Sequence, residues 1–292
     1  TGTTMVNAGI LRIGHRTADM LQASLAGNGP VVVNASGTID FHVGPDELIH
    51  QTGFISGEGR VTSSNNGTVV FDAPGPNTFT GGFELGDGAS ATWNGEAGAK
   101  EGFVVVNHSG HLGTGMIRSR GGQLQAGSPG VVIANDIEVD QGGFRLGGAI
   151  DFELSGTIRT INDVARGFGN YGLEGLDLTA SGPIIVENGT LSVEGSNNRD
   201  NGSWTFTGPI SGSTAAGFGA VRVQDNFDDG VVIFSGVHSY EGATTLRAGT
   251  TYYNATHTGG APWIVESGAI LAGTGSTDAP VTVDVDAAPP SE

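Results

Sequence analysis

The sequence predicts an all-β fold in which short parallel strands stack as the coils of a β-solenoid. Glycine accounts for 52 of the 292 residues, against roughly 7% in an ordinary protein. This content disfavours helical domains, because each interior glycine costs about 1 kcal/mol relative to alanine. Short runs rich in Val and Ile recur between Gly, Asn, Asp and Ser, which is the pattern of strands joined by turns. The runs also resemble one another, and such similarity indicates a repeat architecture.

Six apolar segments predict strands, taken in chain order. They are residues 30–39, 67–71, 130–133, 183–191, 230–234 and 262–270. Residues 18–25 carry the only helical pattern, and the glycines that follow limit it to a short helix, a loop or an irregular coil. The domain prediction is a single solenoid over residues 1–292, with a loop leaving it at 159–178 and a Pro-containing tail at 287–292.

A glycine recurs at matching positions of the repeated segments. Gly2, Gly81 and Gly242 each precede a short strand pattern, and the last two lie 79 and 240 residues after Gly2, near multiples of 20. Phe79 and Tyr240 stand two residues before their glycines, as structural positions of the same repeat. A period near 20 predicts roughly 12–14 coils, with apolar side chains inside and Gly, Asn or Asp at the corners.

Charge and composition exclude several functional classes. The chain has 12 basic and 30 acidic residues and a net charge of −18, so it lacks the clustered Lys and Arg that neutralise nucleic-acid phosphates. It contains no cysteine, which removes disulfides, thiolate zinc sites and cysteine nucleophiles. No apolar run reaches the roughly 18 residues of a membrane-spanning helix. The sequence therefore predicts no nucleic-acid partner and no membrane span.

One segment resembles a known repeat. Residues 234–249 read FSGVHSYEGATTLRAG and resemble the autotransporter-associated β-strand repeat. Residues 70–83 form a weaker copy, residues 1–11 match its second half, and residues 267–283 resemble the segment that often follows it. The resemblance implies a right-handed parallel β-helix from a secreted or bacterial surface protein. It does not extend to a membrane-inserted C-terminal domain, so it implies a passenger-like segment rather than a complete autotransporter.

Two polar clusters admit a metal. Asp225, Asp228 and Asp229 form the densest acidic cluster, and carboxylate oxygens suit Ca²⁺, the one cofactor that the sequence admits. The cluster lacks the alternating spacing of an EF-hand loop, so a polar corner between coils is the favoured interpretation. His108 and His111 have metal-like spacing but fall in a Gly-containing turn, which predicts exposed imidazoles rather than a zinc site.

Paired carboxylates admit a catalytic interpretation. The pairs are Asp151 with Glu153 and Asp284 with Asp286. The members of each pair occupy alternate positions, so they would share one strand face, as the carboxylates of glycoside or uronate chemistry do. Arg145 and Arg159 are the nearest basic residues and form no motif with either pair. Solvated strand faces are therefore the favoured interpretation, and no catalytic residue is predicted.

These observations lead to a non-enzymatic function. We expect an extracellular structural protein, secreted or on the bacterial cell surface, that acts as a filament-forming or adhesive solenoid subunit. We expect self-association head to tail through solenoid ends, because such ends present unpaired backbone groups. Two alternatives stay open. One is a carbohydrate-active β-helix enzyme, a polysaccharide lyase or hydrolase, and the other is a passenger fragment that binds a glycan or a host surface.

Overall fold

The computed structural model confirms the predicted solenoid. It describes residues 2–14, 29–44, 47–64, 67–86, 103–140, 143–161, 168–172, 175–187, 189–196, 202–212, 219–224 and 230–284. These residues form strands without a helix, and the parallel strands stack in coils as a β-solenoid of about nine turns. The chain divides into two compact units, Thr1–Phe144 and Arg145–Glu292. In the described ranges, no helix is long and apolar enough to cross a membrane.

The first unit contains one large and one smaller parallel sheet. In chain order its strands are β1 (Thr4–Ile13), β2 (Val31–Phe41), β3 (Leu48–Gln51), β4 (Ile55–Gly57), β5 (Arg60–Ser63), β6 (Thr68–Phe71), β7 (Thr78–Phe79), β8 (Phe83–Leu85), β9 (Phe103–Val106), β10 (Ile117–Ser119), β11 (Gln123–Ala126), β12 (Val132–Ile133) and β13 (Ile137–Val139). The large sheet has the order β13-β10-β8-β5-β2-β4-β7 with β1 beside β2, and the smaller sheet has the order β3-β6-β9-β11. The long β2 pairs with β4 near its start and with β5 near its end, so it turns a corner of the coil.

Inward side chains of the first unit stack into apolar columns. Val61, Phe83 and Ile117 lie opposite one another on β5, β8 and β10, and all three are buried. The rings of Phe41 and Phe71 pack edge to face with centroids 5.5 Å apart. Each such side chain contributes about 1.5–3 kcal/mol through burial, so stacking gives every coil a share of one continuous core.

Glycines stack at a corner of the first unit where successive coils approach closely. A Cβ on Gly59 would lie 2.6 Å from the carbonyl oxygen of Gly37, and a Cβ on Gly81 would lie 2.4 Å from that of Gly59. The next coil continues the stack, because a Cβ on Gly115 would lie 2.5 Å from the carbonyl oxygen of Thr80. Backbone atoms at these distances leave no space for a side chain. Close stacking of the coils therefore accounts for part of the high glycine content.

The second unit forms three parallel sheets. Its strands are β14 (Phe144–Gly148), which starts at the last residue of the first unit, β15 (Phe152–Leu154), β16 (Ile158–Thr160), β17 (Phe168–Gly172), β18 (Asp177–Ala180), β19 (Ile184–Val186), β20 (Thr190–Ser196), β21 (Ser203–Phe206), β22 (Ile210–Gly212), β23 (Ala220–Gln224), β24 (Val231–His238), β25 (Thr244–Leu246), β26 (Thr250–His257), β27 (Trp263–Val265), β28 (Ile270–Ala272), β29 (Ser276–Thr277) and β30 (Val281–Val283). The sheet orders are β14-β17-β20-β23-β25-β27-β30, β16-β19-β22 and β15-β18-β21-β24-β26-β28, with β29 beside β26.

An inward column of the second unit becomes aromatic along its length. Leu154 and Ala180 lie opposite each other, and Phe206, Phe234 and Tyr253 continue the column on the following coils. The rings of Phe206 and Phe234 stack with centroids 5.2 Å apart and planes inclined by 17°. The coils therefore stay in register through matched side chains as well as through backbone hydrogen bonds.

The predicted 12–14 coils are too many, because the coils differ in length. Neighbouring coils place Arg118 beside Glu138, 20 residues later, but they place Asp72 beside Asn107, 35 residues later. Steps longer than 20 residues lower the number of coils that the chain can form, and the count is about nine. The prediction assumed a period near 20 for every coil.

The structure describes part of the segment 159–178, which the sequence predicted as a loop leaving the solenoid. The segment 159–178 includes the end of β16, all of β17 and the start of β18, and β17 pairs with β20. Residues 18–25 and the tail 287–292 lie outside the described residues.

Candidate functional site on the charged face of the first unit

Outward side chains of the large sheet form a charged row across the coils. In register order, this central row contains Arg12, Asp40, Thr62, Glu84, Arg118 and Glu138. Parallel pairing places the same strand position of each coil above the last, so side chains far apart in the sequence become neighbours. The row mixes both signs of charge, in contrast to the net charge of −18 of the whole chain.

Asp40 is the most enclosed carboxylate of the central row. Its residue is 4% exposed, and its Oδ2 accepts a hydrogen bond from Arg12 Nε at 2.8 Å. Its Oδ1 accepts hydrogen bonds from Thr62 Oγ1 at 2.9 Å and from Ser64 Oγ at 2.6 Å. Three donors from two neighbouring coils therefore hold this carboxylate, and Asp40 ties those coils together.

Glu84 occupies the centre of the row between several arginines. Arg60 Nη1 lies 3.4 Å from Glu84 Oε2, and Arg120 Nη1 lies 2.8 Å from Glu84 Oε1. On the next coil, Arg118 Nε donates to Glu138 Oε1 at 2.7 Å. The Glu84 side chain is 17% exposed, whereas that of Arg60 is 58% exposed. The carboxylates therefore hold these guanidinium groups in place, and the Arg60 and Arg118 side chains are still about half exposed.

Next to the central row, Gly82 leaves a gap in a second outward row, because glycine has no side chain. Arg60 is the first residue of β5, Gly82 directly precedes β8 and Met116 directly precedes β10, so the three share one row. Gly82 has a φ of +90° and supplies no side chain between its long neighbours. The result is an open recess of about 270 Å³, the Gly81–Gly82 groove, which is also lined by Thr80, Glu84 and Arg118. The groove presents donors, a carboxylate and a hydroxyl, which suits hydrogen bonding to a polar ligand.

A buried cluster of His and Tyr lies in the second unit. His238 and His257 are fully buried, and the rings of His257 and Tyr240 have centroids 4.4 Å apart. Burial lowers the pKa of His238 to about 4 and raises the pKa of Tyr240. His238 Nδ1 accepts a hydrogen bond from the Ile210 N–H at 3.1 Å. The cluster therefore consists of neutral rings that pack the core.

The predicted carboxylate pair Asp151 and Glu153 serves contacts between coils. Asp151 Oδ1 accepts a hydrogen bond from the Asp177 N–H at 2.9 Å, and Glu153 accepts one from the Ser181 hydroxyl. Each carboxylate thus binds the following coil on its own. Arg159 pairs instead with Glu187.

The other predicted polar residues are spread over the chain. Arg145 is 8% exposed, and Asp284 is exposed at the end of β30. Asp286, Asp225, Asp228 and Asp229 lie outside the described residues. In the part of the chain that the structure describes, no three His, Cys, Asp or Glu side chains come together as metal ligands.

The prediction of exposed imidazoles is wrong for His111. His111 is fully buried, whereas His108 is exposed. The Asn107 N–H lies 3.2 Å from His111 Nδ1, and His111 Nε2 lies 3.0 Å from the carbonyl oxygen of Ala73. Both ring nitrogens therefore satisfy backbone groups, and the turn folds one imidazole inward to do so.

The glycines predicted as repeat positions take up close contacts at separate corners. Gly2 belongs to a stack with Gly29 and Gly53, in which a Cβ on Gly29 would lie 2.3 Å from the carbonyl oxygen of Gly2. Gly81 belongs to the other stack of the first unit. In the second unit, a Cβ on Gly242 would lie 2.5 Å from the backbone nitrogen of Ala220. Phe79 and Tyr240 are both buried.

Comparison with known proteins adds no relative. No family model, curated protein or solved structure matches the chain. The likeness of residues 234–249 to the autotransporter-associated repeat therefore remains a local resemblance in sequence, and the charged face is interpreted from its own geometry.

Sequence reasoning missed the charged face. Its arginines at 12, 60, 118 and 120 share no local motif. The available signal was the step from Asp40 to Thr62, which is 22 residues, and the same step leads on to Glu84. This spacing can be recognised only when the length of each coil is known.

Proposed function

We propose that the protein is a non-enzymatic structural β-solenoid, a filament-forming or adhesive subunit that acts outside the bacterial cell. The observation that carries the proposal is the use of its outward carboxylates. Asp40 and Glu84 are held by side chains of neighbouring coils, and Asp151 and Glu153 bind the next coil. Carboxylates engaged in this way stabilise the stack of coils, whereas a hydrolase or lyase needs them directed at a substrate.

The extracellular setting is supported by composition and resemblance. The chain has no cysteine and a net charge of −18, which favours solubility. Residues 234–249 resemble the autotransporter-associated repeat, and their strands β24 and β25 pair in register with neighbouring coils. We therefore propose that the chain is a passenger-like solenoid that is secreted or attached to the bacterial surface.

Self-association is supported by exposed apolar side chains on two edge strands. Within the described ranges, β1 pairs with β2 alone and β30 pairs with β27 alone. Met5 and Ile10 of β1 are 60% and 67% exposed, and Val281 and Val283 of β30 are 46% and 63% exposed. A strand edge with apolar side chains pairs readily with another chain. We propose that copies of the protein associate through such edges, head to tail.

One set of assays tests this function. The purified chain is incubated with acidic and neutral polysaccharides, with and without Ca²⁺, and the products are analysed by chromatography. We expect unchanged polysaccharides in every case. Turnover that is lost in Asp151→Asn or Glu153→Gln, but kept in Glu187→Gln, would establish the enzyme instead.

Assembly is tested separately by light scattering and electron microscopy. We expect concentration-dependent assemblies that are reduced in Val281→Asp and kept in Thr282→Asp, because both residues are exposed but only Val281 presents an apolar surface. Strictly monomeric protein at high concentration, with and without Ca²⁺, would refute the filament-forming role.

A further inference from the structure

The Gly81–Gly82 groove has the size of a single sugar ring. Its volume is about 270 Å³, just below the roughly 300 Å³ at which sites for drug-sized ligands begin. Arg60 and Met116 stand on opposite sides of Gly82 in one outward row. The recess is open to solvent along the sheet, so one unit of a polymer can lie in it while the rest of the polymer continues across the face.

The groove offers oriented cationic donors on both sides. Arg60 bonds to Glu84 through Nη1, and Arg118 bonds to Glu138 through Nε and Nη2. A guanidinium has five N–H donors, so each arginine is held in place and still has donors for a ligand. Their side chains are 58% and 47% exposed. Preorganised donors of this kind suit a planar carboxylate.

The remaining lining distinguishes a sugar from an acidic peptide. Glu84 is an acceptor, and it would bind the hydroxyl groups that a sugar has and an acidic side chain lacks. Thr80 adds an exposed hydroxyl, and Met116 is 43% exposed beside the glycine backbone. The Met116 side chain and the Cα atoms of Gly81 and Gly82 give the groove an apolar surface against which the C–H face of a pyranose ring can pack.

We propose that the Gly81–Gly82 groove binds a carboxylate-bearing sugar unit of an acidic polysaccharide. Arg60 and Arg118 donate to the carboxylate, Glu84 and Thr80 bond to ring hydroxyls, and Met116 packs on the ring face. The site extends the proposed structural function, because it gives the solenoid a specific surface to bind.

Calorimetric titration of the full chain tests the site with a short oligogalacturonate. A neutral galactose oligomer of equal length and an oligoglutamate peptide serve as competing ligands. Arg60→Gln removes donors, and Thr80→Trp fills the recess without changing charge. Arg159→Gln is the matched control, because Arg159 is 48% exposed and pairs with Glu187 outside the groove. Circular dichroism verifies that each variant is folded.

We expect saturable binding of the oligogalacturonate that weakens at least about tenfold in Arg60→Gln and Thr80→Trp. Arg159→Gln should bind within about twofold of the parent. Absence of binding, equal binding of the neutral oligomer, preference for the peptide, or unchanged binding by Arg60→Gln would each overturn the proposal. Cleavage of the bound oligomer would refute the non-enzymatic function and leave the binding site standing, so the two failures are distinguishable.

Discussion

The contact at Gly242 shows how a single glycine limits the distance between coils. A Cβ at this position would lie 2.5 Å from the nitrogen and 2.6 Å from the Cα of Ala220. Gly242 lacks a positive φ, so the strain is steric and falls on backbone atoms. We expect Gly242→Ala to lower the free energy of unfolding by about 1–3 kcal/mol, measured by urea denaturation.

Gly260→Ala is the control for this substitution. Its added Cβ would meet only the Glu241 carboxylate, 3.9 Å away, and we expect a change within about 0.5 kcal/mol. An equal loss in both variants would contradict the role of the close contact between Gly242 and Ala220.

His238 makes stability depend on pH. Burial lowers its pKa to about 4 in the folded chain, against about 6.5 in an unfolded one. Between these values the unfolded state binds the proton more readily, so stability is full above about 6.5 and is lost as the pH falls towards about 4. We expect a loss of about 3 kcal/mol across this window, measured by urea denaturation at a series of pH values.

Substitution of His238 tests whether this residue causes the pH dependence of stability. Burial also lowers the pKa of His257 and His111, so His238→Gln should reduce the pH dependence without abolishing it. A parent-like pH profile in His238→Gln would contradict the assignment to His238.

At the scale of single residues, the sequence predicts the corner positions of glycines better than the burial of histidines. The corner role of Gly81 follows from turn chemistry and from a recurring pattern. The burial of His111 cannot be predicted in this way, because the spacing of His108 and His111 does not indicate which backbone groups need a hydrogen-bond partner. In the fold, those groups belong to Ala73 and Asn107, and only the stacked coils place Ala73 beside the ring.

At the scale of the elements, an outward carboxylate ties β2 to the strands on both sides of it. Asp40 accepts hydrogen bonds from Arg12, Thr62 and Ser64, and an amide at this position carries no charge and accepts through one oxygen only. We expect Asp40→Asn to lower the free energy of unfolding by about 2 kcal/mol. Glu187→Gln breaks an exposed pair with Arg159 and should change it by less than about 1 kcal/mol. Thermal and urea unfolding compare the two, and equal losses would refute the special role of Asp40.

Strand positions could be predicted, whereas their grouping into coils could not. Residues 183–191 match β19 and the start of β20, separated by a corner, and residues 230–234 match the start of β24. Val and Ile alternation reports a strand locally. The partner of each strand depends on the number of residues between the two strands, and this number differs from coil to coil. For this reason the charged face of the first unit escaped prediction.

For the whole molecule, stability should vary along the stack of coils. A solenoid is held by contacts between neighbouring coils, and β25 lies between β23 and β27, whereas β30 pairs only with β27 among the described strands. We expect amides of β30 to exchange with deuterium faster than those of β25, measured by mass spectrometry on peptides. Uniform exchange across both strands would indicate a single cooperative unit.

The unequal length of the coils allows the surface of the protein to change during evolution while its core is kept. Steps of 20 and 35 residues both lead to neighbouring coils in the first unit, because the paired strands set the register whatever the number of residues between them. Closing a longer loop adds little free energy, about 0.6 kcal/mol for each doubling of its length. Such a scaffold is modular. Mutation or engineering can lengthen, shorten or replace a corner segment, and so give the protein a new surface while its core stays the same.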